Sequence, residues 1–308
     1  MSNYSEESLQ LQGRVAKMRV PNDKLSKVLF ERTPEQYQKL IAGGNGKIVE
    51  TTDKKGNKIK TSYWLNHVDG YTDMTPLREF DRAVMSVCIS TIESGMTFTT
   101  VDAVFRAMTG GKNIHAKIYP AQKSAILESI RRLMKTVIRI DMRPICKAVK
   151  KYGKKMSKPV IESPILPCEL STGKVNGQGA TIIKLPREPP LWTVANAKGQ
   201  ILTFDVADFN VPNQNNTFAV IELKSYVLRR VHEIIAHNRN MTPTITFADV
   251  FGHCGLSDAA DSSKRNARKA VFAIFEHLKS SGVIQSFEKK KTGGAYSTIT
   301  FSVYDLTP

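Results

Sequence analysis

An α+β fold made of one unit written twice is the architecture that this 308-residue chain predicts, and three observations carry it. The segments 97–105 and 244–251 both place Thr-x-x-Asp, Thr99 to Asp102 and Thr246 to Asp249, at the mouth of a short apolar helix. Each helix stops at a glycine, Gly110 or Gly255, and Thr99 and Thr246 stand 147 residues apart. Each copy follows a long amphipathic segment and precedes a second one that runs into a strand. The chain also carries a formal net charge of +17. Helix, short helix, helix and hairpin is the order of a winged helix, so the expectation is two winged-helix domains in tandem with an N-terminal extension and an elaborated β segment. The expected boundaries are 1–70 for the extension, 71–216 for the first domain and 217–308 for the second. A chain of this length buries two cores without staples.

The extension reads as a polar helix around Glu6 to Met18 and another around Pro34 to Ile41, followed by Gly43-Gly44-Asn45-Gly46. Lys47 to Thr52 and Lys58 to Trp64 then flank Lys55-Gly56-Asn57, the pattern of a β-hairpin. In the first domain Thr75 and Pro76 suit a cap and a first helical position. The helix that follows, to about Glu93, repeats Leu77, Phe80, Val84, Val87 and Cys88 on one face. Thr99 is the expected cap of the short helix ending at Met108, with Asp102 in its first turn. A third helix, about Ala121 to Lys135, keeps Ile126, Ile130 and Leu133 together and feeds a strand over 137–142.

Residues 144–216 read as mostly β after a short basic helix near Cys146 to Tyr152. Strands 165–171 and 180–185 flank Lys174-Val175-Asn176-Gly177, where Asn-Gly favours a tight hairpin turn. A second strand pair, Leu191 to Ala195 and Gln200 to Asp205, brackets Lys198-Gly199. These strands are expected to elaborate the first wing and to join the domains, and Val211 to Asn216 reads as the linker. The second domain repeats the plan. Its first helix, about Leu223 to His237, carries Val227, Val231 and Ile234 at the same offset of 147 from Phe80, Val84 and Val87. Its third helix, capped by Ser262 or Ser263, keeps Ala267, Val271, Ile274 and Leu278 on one stripe. Matching Ile126, Ile130 and Leu133 to Val271, Phe275 and Leu278 gives an offset of 145, so the copies drift by only two residues.

Basic residues outnumber acidic ones in every quarter of the chain, and the sequence pI is about 9.7. An even cationic spread suits a body lying along a duplex and neutralising phosphates over its length; a basic protein that is merely soluble is the plainer reading. Cys88, Cys146, Cys168 and Cys254 lie far apart, with no Cys-x-x-Cys, and read as reduced packed thiols. No run of about 18 apolar residues spans a bilayer, and residues 1–20 lack the apolar core of a signal peptide. The expectation is a cytoplasmic protein with no membrane partner.

Winding the last helix at about 100° per residue puts Arg265, Arg268 and Lys269 opposite the apolar stripe, with Lys264 at its border and Asn266 beside them. Cations in the first turns oppose the helix dipole and so ask for another reason to be there. Base reading by the N-terminal half of a recognition helix supplies one, Arg pairing with guanine and Asn with adenine; a solvated basic face is the alternative. Lys289, Lys290 and Lys291 sit at the tip of the last hairpin, placed for phosphate or minor-groove contact or, more plainly, for protecting a hairpin edge by charge. The first copy is less cationic on its open side, where Arg131 stands, and is approached by Lys112, Lys117 and Lys123. The expectation is that the first domain grips backbone and doubles as a homodimer surface, while the second reads sequence.

Enzyme readings fare poorly, and the expectation is a non-enzymatic protein with no catalytic residues, no metal and no cofactor. Gly43 to Ile48 and Gly110 to Asn113 lack the spacing and the hydroxyl of a phosphate loop. The six histidines include no His-x-His and no pair four apart, and His253 with Cys254 reads as core and cap.

The tandem cores, the basic C-terminal helix and the linker resemble the iteron-binding plasmid replication initiators of the Rep family. Leu77-Arg78-Glu79-Phe80-Asp81-Arg82-Ala83-Val84-Met85, then Thr99 to Gly110, then Val211 to Thr217, are also similar to replication initiators of bacterial mobile elements. The likeness covers about residues 72–308; the first 70 residues and the enlarged β segment depart from it. It implies a monomer that binds repeated origin sites on double-stranded DNA, recruits host replication proteins and represses its own gene as a dimer. It also implies that Arg265, Arg268 and Lys269 read bases. A winged-helix transcriptional regulator shares the same binding physics, and a protein-docking structural module is the rival of another class; steep salt dependence separates DNA binding from docking.

Overall fold

The computed structural model describes residues 15–31, 36–39, 46–52, 58–68, 75–111, 117–148, 159–175, 178–237 and 242–304. It is a mixed α and β protein whose buried hydrophobic side chains, from Met18 to Phe301, join in one continuous cluster. Among the described residues no helix is long and apolar enough to cross a membrane.

The N-terminal segment departs from expectation. Residues 1–14 lie outside the described residues, and Met18 belongs to a strand, β1 (Lys17–Pro21), not to a helix. Met18 and Val20 alternate with Lys17 and Arg19, a period of two that buries one face against Leu202 and Phe204 of β9 (Ile201–Asp205), the antiparallel partner. Helix α1 (Lys24–Phe30) follows, with Asp23 accepting from Ser26 N at 3.1 Å and Leu25 N at 3.3 Å. Of the second expected helix, residues 36–39 are described and helical. The predicted hairpin forms from β2 (Lys47–Thr52) and β3 (Lys58–His67), and its turn lies outside the described residues.

Helix α2 (Glu79–Glu93) begins three residues beyond Pro76, so Thr75 is not its cap. Arg78 takes that position, its N–H donating to Asp81 Oδ2 at 2.8 Å. Every residue from Glu79 to Thr91 is buried, because other elements surround the helix on all sides. After β4 (Phe98–Thr100), α3 (Val101–Ala107) is capped by Thr100, whose Oγ1 accepts from Ala103 N at 3.1 Å, and not by Thr99, which is buried within the strand. Helix α4 (Pro120–Lys135) opens on Tyr119, with Gln122 reaching back to the Tyr119 N–H at 2.9 Å.

The strand after α4 is not the wing. β5 (Thr136–Asp141), the short helix α5 (Arg143–Ala148) and β6 (Val160–Pro164) leave the repeat and complete a sheet of order β2-β3-β5-β6. The chain returns with β7 (Glu169–Val175) and β8 (Gln178–Lys184), which pair onto β4 in the order β4-β8-β7. Leu191 to Ala195, expected as a strand, lies in helix α6 (Pro190–Lys198), started by two prolines and ended by Gly199 at φ 63°. Only the second strand of that expected pair exists, as β9, and it pairs with the N-terminal β1 instead of with its neighbour.

A 3-10 turn (Val206–Phe209) and the predicted linker lead to α7 (Phe218–Ala236), capped by Thr217. Then come β10 (Thr244–Thr246), α8 (Phe247–His253), α9 (Asp261–Ser280), β11 (Ser286–Thr292) and β12 (Ala295–Ser302), with sheet order β10-β12-β11. Ala260, not Ser262 or Ser263, precedes α9 as its cap position.

Both repeats therefore run long helix, short strand, short helix, long helix, hairpin, and both place the short strand beside the second hairpin strand. The register shifts by one residue at each connection. Phe80, Val84 and Val87 match Val227, Val231 and Ile234 at 147. The capping threonines Thr100 and Thr246 match at 146, and the stripes of α4 and α9 at 145. Past the short helices Gly110 and Gly255 take φ of 97° and 64°, and the following residues donate back to Arg106 O and Phe251 O, both at 2.7 Å. Positive φ is the reason glycine closes each short helix.

Candidate nucleic-acid interface

Helix α9 buries Ala267, Ala270, Val271, Ile274, Phe275 and Leu278, and this stripe decides which side chains remain outside. Arg265, Asn266 and Lys269 are exposed and Lys264 is half-buried, all within the first turns. Arg268 is placed differently. Its Nε donates to Tyr296 O at 3.0 Å, and its guanidinium lies 5.1 Å from the Phe251 ring centre and 5.6 Å from that of Phe247. Arg268 thus ties α9 to the hairpin and to α8.

The hairpin lysines divide by strand alternation and by a register shift between Lys290 and Lys291. Lys289 sits 4.6 Å from the Phe272 ring centre and 3.7 Å from Glu276, both on α9. Lys291 lies 4.8 Å from the ring centre of Tyr296, which meets Phe272 edge-on. Lys290, on the opposite face, is exposed. Cations and rings alternate along the seam between α9 and its hairpin, where Lys289 and Lys291 lie over rings and remain exposed.

In the first repeat Lys112 lies outside the described residues. Lys117 is exposed, 5.6 Å from the Tyr119 ring centre, and Arg131 is exposed on α4. Lys123 is engaged with Asp102 at 2.8 Å, across α4 and α3. The two basic surfaces belong to corresponding helices of the two repeats, α4 and α9, and the α9 surface holds more exposed cations in its first turns.

The seam between the repeats was not legible as a site from motifs. Arg229 on α7 donates to both Glu79 oxygens, at 2.9 and 3.2 Å, and Arg82 lies 3.4 Å from the same carboxylate. Both arginines also meet Glu31, at 3.1 and 3.2 Å, and Arg82 donates to Ser26 O at 2.9 Å. At one end Arg78 grips Glu222 through two hydrogen bonds of 3.0 and 2.7 Å and reaches Cys254 O at 3.1 Å. At the other, Glu233 gathers Lys27, Arg230 and Arg229. Burial alone would raise these carboxyls. The guanidinium groups of Arg229 and Arg82 nevertheless hold Glu79 below the usual range, and Lys27 and Arg230 bring Glu233 to about 2. Burial dominates at Glu222, which is pushed up to about 8 against Arg78. One signal in the sequence pointed here: Arg82 and Arg229 stand at the repeat offset of 147, each beside carboxylates at helical spacing, Glu79 for the first and Glu233 for the second.

His253 closes α8 and stacks on Tyr226, their ring centres 4.8 Å apart. Among the described residues no three His, Cys, Asp or Glu side chains are grouped to hold a metal ion.

Comparison with protein families finds no match, and comparison with curated proteins finds none. Among solved structures, the chain is similar to a crystal structure of domains 2 and 3 of RctB, at a TM-score of 0.38 and 10% identity, covering 88% of this chain and 98% of that one. A second structure of the same domains gives a TM-score of 0.37 and 8% identity, covering 88% and 97%.

Proposed function

We propose that the chain is a non-enzymatic, sequence-specific binder of double-stranded DNA built on two winged helices, and that it starts replication of a plasmid or mobile element. The observation that carries the DNA reading is the exposed cationic start of α9, with Lys264, Arg265, Asn266 and Lys269 outside a fully buried apolar stripe. In the winged-helix reading α9 enters the major groove, Arg265 and Asn266 face base edges, and Lys290 with its neighbours meets phosphate. The less cationic α4 then grips backbone through Arg131 and Lys117. Initiation is preferred to transcriptional regulation on the resemblance of residues 77–85, 99–110 and 211–217 to replication initiators of bacterial mobile elements, which also implies host replication proteins and a second copy as further partners.

Footprinting the full chain on DNA upstream of its own gene tests the first part. The expected result is protection of repeated sites, with affinity falling steeply with salt at a log-log slope of about −0.9 per phosphate contact. Binding that ignores salt would instead favour a protein-docking module.

A further inference from the structure

We infer that a second copy of this chain pairs with β7 edge to edge, so that two β4-β8-β7 sheets join about a two-fold axis. The inference rests on the second copy named above as a partner and not on DNA binding. In both three-stranded sheets the first strand of the hairpin stands last in the order, β7 in β4-β8-β7 and β11 in β10-β12-β11. Among the described residues no further strand lies beyond either. Such a strand turns part of its backbone N–H and C=O groups outward, where they can pair with another chain. β11 is defended against this. Lys289, Lys290 and Lys291 are exposed along it, and its register shifts between Lys290 and Lys291. Charged side chains and a bulge are two devices that keep an edge from pairing. β7 has neither. Its seven residues run from Glu169 opposite Lys184 to Val175 opposite Gln178 without a shift. Between Glu169 and Lys174 stand Leu170, Ser171, Thr172 and Gly173, with no charge and no proline.

Charge selects another β7 as the occupant. An acidic extended peptide is drawn to the lysines of β11, whereas β7, with one glutamate and one lysine, is neutral. On a chain of net charge +17 a like-charged copy is repelled least where the surface is neutral. The register follows from symmetry. Opposed residues of an antiparallel pair share a face, so self-pairing about an axis perpendicular to the sheet must centre on a residue. Thr172, exposed, is the midpoint of the seven. Centred there, the pairing sets Thr172 against Thr172, Ser171 against Gly173 and Leu170 against Lys174. No like charges meet, and opposed threonines are a favourable cross-strand contact.

Sedimentation velocity of the full chain without DNA, over a range of concentrations, tests this with two variants of Thr172. The native chain should show a reversible equilibrium between monomer and dimer, and Arg265→Ala should show the same one. Thr172→Lys copies the defence of β11 and sets two ammonium groups face to face, so it should weaken the dimer by about tenfold or more with an unchanged unfolding temperature. Thr172→Cys places two thiols across the axis, where the Cα atoms of opposed residues stand about 4.5–5.5 Å apart, within reach of a disulfide. Mild oxidation with oxidised glutathione should turn that variant into a covalent dimer, and should leave Lys290→Cys uncoupled. A native chain that stays monomeric overturns this proposal together with the second copy as a partner. A native dimer that Thr172→Lys leaves intact, or that Thr172→Cys fails to crosslink, overturns the β7 interface alone.

Discussion

Arg229 of the second repeat and Glu79 of the first, 150 residues apart in sequence, form a buried two-point hydrogen-bonded ion pair at 2.9 and 3.2 Å. Each lies in a long central helix, and each is almost wholly withdrawn from water. The two repeats are therefore joined by charge as well as by apolar contact. Such a pair contributes little net stability over a hydrophobic pair of the same shape, yet breaking it strands a charge.

Removing one partner should be far worse than removing both. Glu79→Leu and Arg229→Met are each expected to lose about 3–5 kcal/mol in urea unfolding. The double variant Glu79→Leu/Arg229→Met should lose clearly less than the two single losses added together, although Arg82 and Glu31 keep part of the network charged. Strict additivity would show that the pair does not couple the repeats.

Arg265 and Arg268, three residues apart on α9, should respond oppositely. Arg268 is bonded to Tyr296 O and stacked over two rings, so Arg268→Ala should cost about 2 kcal/mol in stability. Arg265 is exposed, so Arg265→Ala should change stability by less than about 0.5 kcal/mol. Under the proposed function Arg265→Ala should also relax sequence preference in a gel-shift competition. Thermal melts beside that competition read both effects; a stable Arg268→Ala protein would contradict the packing role.

Lys224 gives a prediction in pH. Its ammonium is buried, donates to Phe209 O at 3.1 Å and Asn216 Oδ1 at 2.8 Å, and burial lowers its pKa to about 8. The unfolded chain keeps the ordinary value near 10.5, so below pH 8 the folded state carries the full cost of the buried charge, about 3 kcal/mol. That cost fades as pH rises from 8 to 10.5. Relative to Lys224→Met, the native chain should therefore gain about 2 kcal/mol between pH 7 and pH 10 in chemical denaturation. A constant gap between the two proteins would place the lysine in a wetter setting than the structure shows.

Much of the helical plan was legible because periodicity reports burial on one face. The stripes of α4 and α9 and the pairing of β2 with β3 and of β7 with β8 follow from patterns that local physics enforces, while the predicted Asn176-Gly177 turn lies outside the described residues. Errors clustered where a distant partner decides. Leu191 to Ala195 is a local exception: apolar enough for a strand, it is helical because Pro189 and Pro190 open the helix and Gly199 closes it. Thr99 and Thr100 both pair in β4, and Thr100 is the cap because the helix starts at Val101, one residue later than the spacing suggested, so that its Oγ1 meets Ala103 N. Nothing near Lys17 to Pro21 announces a partner at 201–205. The cations of α9 could be placed by helical winding alone, yet winding could not tell Arg265 from Arg268, since that difference depends on rings from α8 and a carbonyl from β12.

By itself the sequence determined that one helix–helix–hairpin unit occurs twice, that it is basic throughout, and where each apolar stripe runs, because these depend on residue spacing within a turn or a strand. Tertiary structure alone decided that β5 and β6 join β2 and β3 in a separate sheet, that the charges of α2 and α7 meet in a buried network, and that Arg268 is packed while Arg265 stays exposed. Those outcomes rest on pairing between residues far apart in the chain, where hydrogen-bond satisfaction and desolvation select the partner and no local pattern records it.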